Sequence, residues 1–582
     1  ARTAAVKGNR EVDLHPCIGS RRGGTRGLKG MICVIGGASR GIGQGMAVRF
    51  AIGGAFVCVL GRSDGKVVTG PGTLSGVVEQ IDLVAGKGTG MVVQCDLSKP
   101  EQVGEGISKI IAKCGRIDVL VNNASALYPV GVEAVDLRRF NLMNHVCVRG
   151  AFLLTREALP HMKNSRDPHV LSVAPAPIAD RTWMGPHTCY SGTKTGMGML
   201  ACAWSAEFPH VRFNTLWPHK MVATFAVTNT VGADLDGAVT VAHMADPAYR
   251  IVTSDAQARF YRDTGALKDM QIPDRSQWQV EPTSTELFDD FMIVPLGLQA
   301  GQRIEYVPLP AGDVSKFKDQ NVLLVGANTE TAAMESLAKE AGASVRDVEL
   351  SADLKAIDSA MEGAELDAMF IAAGPSSSAG TLETDAEAWE WLFDQHCKAP
   401  YFFVAKGLPL LRRSAQPRVV IVAPLPACSP ESFASPSVPC AISAQIRGLY
   451  VMGMAEEFTD SPIEFNAIWD GYGRDPPAAR NLDALSFGQG SMQYYAVDIA
   501  AIPPEQTKVG PLDYTKGEPF EDTATSRWLE TALRDASLSD LVESDVLQSV
   551  HMERAEAERH LASAGASAGA TQAFMESVWL GP

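Results

Sequence analysis

The stretch MICVIGGASRGIGQGMAVRFAIGGAFVCVLGR, residues 31 to 62, decides the fold. An apolar run, MICVI, ends in glycines; a helix-length segment, QGMAVRFAIGGA, follows; a second apolar run, AFVCVLG, closes it. The turn GGASRGIG, from Gly36 to Gly43, sits between strand and helix. A turn of this kind must bring backbone close to a pyrophosphate and start a helix whose N-terminal amides face the charge. That calls for residues without a Cβ at Gly37, Gly41 and Gly43, with Ser39, Arg40 and Ile42 completing the loop. A glycine triplet alone is a weak signal, and its place between strand and helix strengthens it.

Outward from this unit, GMVVQCD, IDVLVNN, HVLSVAP and VRFNTLWP are further apolar runs, each separated by a helix-length segment. That is the rhythm of a parallel sheet with crossover helices. It fades near residue 300 in YVPLPAGD and begins again with NVLLVGA at Asn321, so a boundary is expected at about residue 310. The second series, NVLLVGA, ASVRDVEL, LDAMFIAAG, RVVIVAP and IEFNAIWD, repeats the order of the first. Paired segments such as AEFPHVRFNTLW and EEFTDSPIEFNAIW indicate an internal duplication. Cys147 matches Cys397, Cys189 matches Cys440 and Asn214 matches Asn466, at offsets of about 250 residues.

The expected architecture is α/β: two tandem Rossmann-type doubly wound parallel sheets with helices on both faces, plus a helical C-terminal tail. The organisation reads as a basic N-terminal arm over 1–29, a dinucleotide-binding domain over 30–310, a degenerate copy over 318–500 and a C-terminal extension over 501–582. The chain of 582 residues is 46% apolar with a net charge of −16, enough to bury large cores and without a basic field to attract nucleic acid. Eleven cysteines without a C-x-x-C pair read as free thiols in a reducing compartment, with neither a disulfide framework nor a metal site. No apolar stretch is long enough for a membrane span. The basic arm reads as a flexible arm or the remainder of an organelle import segment, which points to a mitochondrion or plastid. The arm and the tail, which ends in FMESVWLGP, are candidate docking segments for other chains.

At the end of the second strand, where an acidic residue would bind a ribose 2′-hydroxyl, Gly61 is followed by Arg62. With Arg40, two guanidinium groups can meet a 2′-phosphate, which favours NADP(H) over NAD(H); solvent-exposed arginines without a ligand are the other reading. QCDLS places Asp96 and Leu97 at a strand end, VLVNNAS places Asn122, Asn123 and Ala124 at the next, and CYSGTK sets Tyr190 and Lys194 four positions apart on one helical face. Together with HVCVRGAFLLTREALPHMKNS, WMGPHTCYSGTK and FNTLWPHK, this pattern resembles the short-chain dehydrogenase/reductase family. The resemblance covers about 30 to 290 well and about 318 to 475 weakly. It implies that Asp96 contacts adenine, that Asn122, Asn123 and Ala124 line the cofactor path, and that Pro218 and Thr224 hold the nicotinamide end. It also implies that Tyr190 is general acid or base toward a carbonyl or alcohol, with the Lys194 ammonium lowering the phenol and binding the nicotinamide ribose.

Two members of the family's catalytic set are absent. Ala174 and Pro175 stand where a serine would orient the substrate oxygen, Cys147 stands where an asparagine would anchor a relay water, and Ser172 is one candidate substitute. The second copy has lost more: Glu330 and Ala332 stand opposite Gly41 and Gly43, Ile371 and Ala372 opposite Asn122 and Asn123, Ala441 opposite Tyr190 and Gln445 opposite Lys194. The expectation is an NADP(H)-dependent oxidoreductase acting on a carbonyl or secondary alcohol, lipid-like substrates included, in the first domain only. The alternative is a catalytically inactive accessory subunit of an organelle complex that keeps NADPH as a structural ligand. In either case the two halves are expected to pair as an internal pseudo-dimer.

Overall fold

The computed structural model describes residues 27–64, 72–175, 181–218, 221–227, 238–262 without 255 and 258, 304–309, 311–425, 437–469, 478–486, 494–496 and 508–509. Nearly all of the basic arm and of the C-terminal extension therefore lies outside the described residues.

In the first unit, strands β1 (Ile32–Gly36), β2 (Phe56–Gly61), β3 (Gly90–Gln94), β4 (Val119–Asn122), β5 (His169–Val173), β6 (Arg212–Trp217) and β7 (Arg259–Arg262) form one parallel sheet in the order β3-β2-β1-β4-β5-β6-β7. Strand alternation sorts the side chains. Cys33, Ile35, Val57, Val59, Val119 and Val121 face one core with helices α1 (Gly41–Ile52), α2 (Leu74–Ala85) and Ala242–Val252. Val34, Cys58, Leu60 and Leu120 face the other, with α3 (Pro100–Cys114), α4 (Leu137–Val146), α5 (Val148–Met162), the short α6 (Arg181–Met184) and α7 (Thr188–Glu207). Ala242–Val252 is α8. The reversal of strand order between β1 and β4 opens the crevice where ligands of such sheets bind. Strand β7, whose sequence RFYR carries two charges in four residues, was not expected from apolar patterning.

The second unit holds β8 (Ile304–Pro308), β9 (Asn321–Gly326), α9 (Thr329–Glu340), β10 (Ser344–Glu349), α10 (Leu354–Met361), β11 (Ala368–Ile371), α11 (Ala386–Phe393), α12 (Ala399–Leu411), β12 (Arg418–Val422), α13 (Val438–Glu457), β13 (Glu464–Trp469), α14 (Ala478–Ser486), β14 (Tyr494–Ala496) and β15 (Lys508–Val509). Its sheet runs β10-β9-β11-β12-β13-β14-β8-β15, parallel except for β15. All five strands expected in this half form. The counterpart of β3 does not, because only the single helix α10 lies between β10 and β11. Strand β8, from the stretch where the sequence rhythm fades, joins this sheet beside β14.

The two units meet along α7 and α13. Close approach depends on glycines: a Cβ on Gly192 would lie 2.3 Å from Tyr450 Cε1, one on Gly196 2.5 Å from Ile446 Cδ1, and one on Gly453 2.4 Å from Thr188 Oγ1. Phe152 stacks on Trp389 with ring centres 4.2 Å apart, and Phe140 lies among Phe393, Tyr401, Phe402 and Tyr450. Trp204 Nε1 donates to Thr381 Oγ1 at 2.9 Å, and Glu207 accepts from the Thr381 amide at 2.8 Å and its hydroxyl at 2.6 Å. Glu390 accepts from Arg149 at 2.6 Å and bonds His145 at 2.9 Å. Burial would raise the Glu390 carboxyl, but that hydrogen bond and the charges of His145, Arg149 and Lys398 hold it below the usual range. One continuous apolar core thus spans both units.

Candidate active site

A cavity of about 400 Å³ opens at the carboxyl ends of β1, β2, β3 and β4 and reaches α7 and β6. Its size suits a small-molecule site, which commonly spans about 300–1,000 Å³. The glycine loop forms one wall. Gly37 has φ +71°, and a Cβ there would sit 2.7 Å from Ala124 Cα; a Cβ on Gly43 would lie 2.4 Å from the Gly37 carbonyl oxygen. Backbone can therefore come close to a ligand where side chains could not. Gly43 itself packs beneath the loop, and Asn123 holds the loop from behind by donating to the Gly36 and Gly37 carbonyls at 3.2 and 3.0 Å. The loop opens α1, whose N-cap residue Arg40 makes no side-chain cap, so the first amides of the helix face the cavity unoccupied by the chain's own cap.

Arg40 and Arg62 both line the cavity beside the glycine loop. Burial and the nearby Arg62 charge lower the Arg40 guanidinium from its ordinary range, the electrostatics of two cations converging on a place for an anion. Arg40 also sits 5.3 Å from the centre of the Phe225 ring. Ser39, Ile42, Asp96 and Leu97 complete this end. The Asp96 carboxylate already accepts from the Ser98 amide and hydroxyl at 2.9 and 2.7 Å, which fixes its orientation.

Tyr190, Lys194 and Pro218 also line the cavity, with Trp217 at the end of β6, while Ala124 abuts Gly37 and Thr224 abuts Gly41 on the loop wall. Tyr190 and Lys194 are both buried, on the helix that also carries the contact with the second unit. Lys194 Nζ donates to the Val173 carbonyl at 2.7 Å and lies 5.5 Å from the Trp217 ring centre. Burial lowers the ammonium, against which Cys147 acts. Burial and Cys147 push the Tyr190 phenol well above its ordinary value, and the opposing influence is a hydrogen bond from Ser125. The sequence-based expectation gave the lowering role to Lys194. His187, edge-on to Tyr190 at 6.0 Å, is held neutral, burial bringing it down to about 4.

The cavity brings together every expected cofactor residue except Gly43 and Asn122. Asn122 is buried, and its amide donates to Thr155 on α5 at 2.9 Å, tying β4 to that helix away from the cavity wall. Ala174 is fully buried, as is Ser172, and neither reaches the cavity. Ser125 and Trp217 line it and were not singled out from the sequence. Ser125 ends the quoted VLVNNAS motif, so its place beside Asn123 and Ala124 was the available signal.

The profile of the short chain dehydrogenase family matches residues 31–232. Through its first unit the chain belongs to the short-chain dehydrogenase family. Hydroxysteroid dehydrogenase-like protein 2 of Danio rerio is 31% identical over 269 residues, which cover 46% of this chain and 64% of the relative. The Homo sapiens protein of that name is 29% identical over 301 residues, 51% of this chain and 70% of the relative. The match thus takes in the short-chain dehydrogenase unit and leaves about a third of those relatives' length without a counterpart. Among solved structures, the N-domain of bacterial malonyl-CoA reductase, determined with NADP, aligns with a TM-score of 0.59 over 82% of this chain and 99% of its own. At 16% identity this is a likeness of fold, and it extends beyond a single short-chain dehydrogenase unit.

The second unit departs from its sibling at each of these points. Asn328 caps α9, its side chain accepting from the Glu330 and Thr331 amides at 3.0 and 2.9 Å. Arg447 is buried among strand ends, donating to the carbonyls of Ala372 at 2.7 Å, Val422 at 2.9 Å, His396 at 2.8 Å and Gln395 at 3.0 Å. Val422 ends β12 as Val173 ends β5, so the carbonyl that receives Lys194 in one unit receives Arg447 in the other.

Proposed function

We propose that the first unit is an NADP(H)-dependent oxidoreductase that reduces a carbonyl or oxidises a secondary alcohol, and that the second unit is a scaffold without its own cofactor. The single observation that carries this reading is one cavity joining an uncapped helix N-terminus and two arginines at one end to Tyr190 and Lys194 at the other. The residues fit the group: the glycine cradle admits a pyrophosphate, Arg40 and Arg62 suit a 2′-phosphate, and Lys194 stands where ribose hydroxyls would lie. NADPH, when bound, supplies the hydride. Tyr190, kept protonated by burial, would donate its phenolic proton to the carbonyl oxygen of a substrate and recover one from solvent. In the reverse direction Tyr190 must first lose its proton, so the buried phenol favours reduction at neutral pH.

A second reading, an inactive subunit that keeps NADPH as a structural ligand, draws on Ala174, which offers no hydroxyl, and on the tie of Lys194 to the Val173 carbonyl. NADPH binding and NADPH consumption over a panel of ketones, aldehydes and lipid-like carbonyls separate the two. For an enzyme, Tyr190→Phe abolishes turnover and retains NADPH binding. Binding without turnover in either protein supports the structural-ligand reading.

A further inference from the structure

The substrate end lacks the hydroxyl expected at Ala174, and Ser172 is buried off the cavity wall. Ser125 differs from both. It follows β4 directly and lines the cavity with Tyr190 and Lys194. Its Oγ lies 3.5 Å from Cys147 Sγ, and the Ala126 amide donates to the same sulfur at 3.4 Å. Cys147 is fully buried at the break between α4 and α5, with φ −79° and ψ −85°, so the sulfur is a fixed post against which residues 125 and 126 are pinned. That hydroxyl shares the cavity wall with the Tyr190 phenol and works against the rise that burial imposes on it.

We propose that Ser125, held by Cys147, is the positioning residue that hydrogen-bonds the Tyr190 oxygen and sets it for proton transfer, in place of the serine missing at position 174. The proposal rests on the oxidoreductase reading above and deepens it. A hydroxyl that donates to a phenol oxygen stabilises the phenolate more than the phenol, so it brings ionisation toward the working pH range. In this unit that influence opposes burial and Cys147.

The test uses the full chain and needs no substrate. NADP⁺ carries a cationic nicotinamide ring and NADPH a neutral one, so ionisation of Tyr190 tightens the first relative to the second. The ratio of the NADPH and NADP⁺ dissociation constants is measured by tryptophan fluorescence from pH 6 to about pH 10.5 in the wild type, Ser125→Ala, Ser125→Thr and Tyr190→Phe. Because bound NADP⁺ would set its cationic ring beside the phenol and draw its ionisation down into this window, the wild-type ratio is expected to climb about tenfold by the upper end, and Tyr190→Phe to stay flat. Ser125→Ala is expected to displace the climb upward by about one pH unit, and Ser125→Thr, which keeps the hydroxyl, to restore it. Superimposed Ser125→Ala and wild-type curves overturn the proposal and leave the cofactor reading standing, as does a flat wild-type curve. Failure of both dinucleotides to bind the wild type overturns the reading itself and the proposal with it.

Discussion

Two helix N-termini, built at corresponding points of the two units, behave in opposite ways. In the first, α1 begins after a glycine loop with no side-chain cap, and its leading amides face a cavity lined by two arginines. In the second, α9 begins with the Asn328 capping box, and the same kind of amides are satisfied by the chain itself. The contrast continues along the sheet. β3, which leads into Asp96 and Leu97, has no counterpart, and the guanidinium of Arg447 occupies the strand-end carbonyls. A binding site of this fold needs backbone groups left unsatisfied; in the second unit the corresponding groups are satisfied locally, with its sheet and core intact.

The contrast is broken most sharply by putting a side chain into the open loop. Gly43→Val places a Cβ 2.4 Å from the Gly37 carbonyl oxygen and 2.5 Å from Asn123 Nδ2, so the loop and its brace must both move. NADPH affinity is expected to fall by about 100-fold or more, the effect of losing several well-placed backbone contacts at once. Titration calorimetry checks this. The equivalent position of the second unit already carries Ala332, and Ala332→Val is expected to leave NADPH affinity unchanged. A weakened affinity in that second variant would mean that the second unit takes part in binding.

A second experiment asks what Arg447 contributes where it meets those carbonyls. Arg447→Met keeps much of the side-chain volume and removes the donors to four carbonyls. Unsatisfied buried carbonyls cost about 1–3 kcal/mol apiece, partly recovered by relaxation, so a loss of about 3 kcal/mol is expected in urea unfolding. NADPH affinity should not change. A neutral effect on stability would show that the guanidinium is dispensable packing.

What was legible in the sequence followed from local chemistry. Strands β1 to β6, β9 and β11 to β13 are short apolar runs between turn residues, the charged β10 was placed by its order in the repeat, and the steric demand at Gly37 and Gly43 can be read from residue type alone. β7, β8, β14 and β15 were not legible, being brief or charged and held in place by neighbours far away in sequence. Nor was the missing counterpart of β3, since ASVRDVEL and LDAMFIAAG match β2 and β4 and nothing marks the omission between them. Asn122 carries the family's residue but its amide is taken by Thr155, a partner 33 positions away. Ser125 and Arg447 owe their roles to atoms gathered from three or more elements, which no spacing rule anticipates.

The smallest expected effect concerns how the second unit holds the first. Glu457 on α13 accepts the Val132 amide with both carboxylate oxygens, at 2.9 and 3.0 Å, and Tyr401 donates to the Val132 carbonyl at 3.3 Å. Neighbouring Glu133 is paired with Arg412 at 2.7 and 2.6 Å, so the segment that runs on from Ser125 and Leu127 is tied to the second unit at three points. Burial pushes the Glu457 carboxyl from the ordinary 4.5 up to about 7; Glu133 adds to this, while the Val132 amide and Arg412 oppose it. Between those two values the folded protein binds a proton that the unfolded chain releases. The stabilisation is therefore present in full below about 4.5 and is lost as pH rises through about 7. Subtracting the urea midpoint of Glu457→Gln, which keeps an acceptor for Val132 but cannot titrate, from that of the wild type isolates this group from the other carboxylates. The difference is expected to turn against the wild type as pH rises from 4.5 to 7. A difference that stays constant across that window would show that the carboxylate is ionised throughout, and the tie to Val132 would then be an ordinary charge-assisted hydrogen bond rather than one that loosens toward neutral pH.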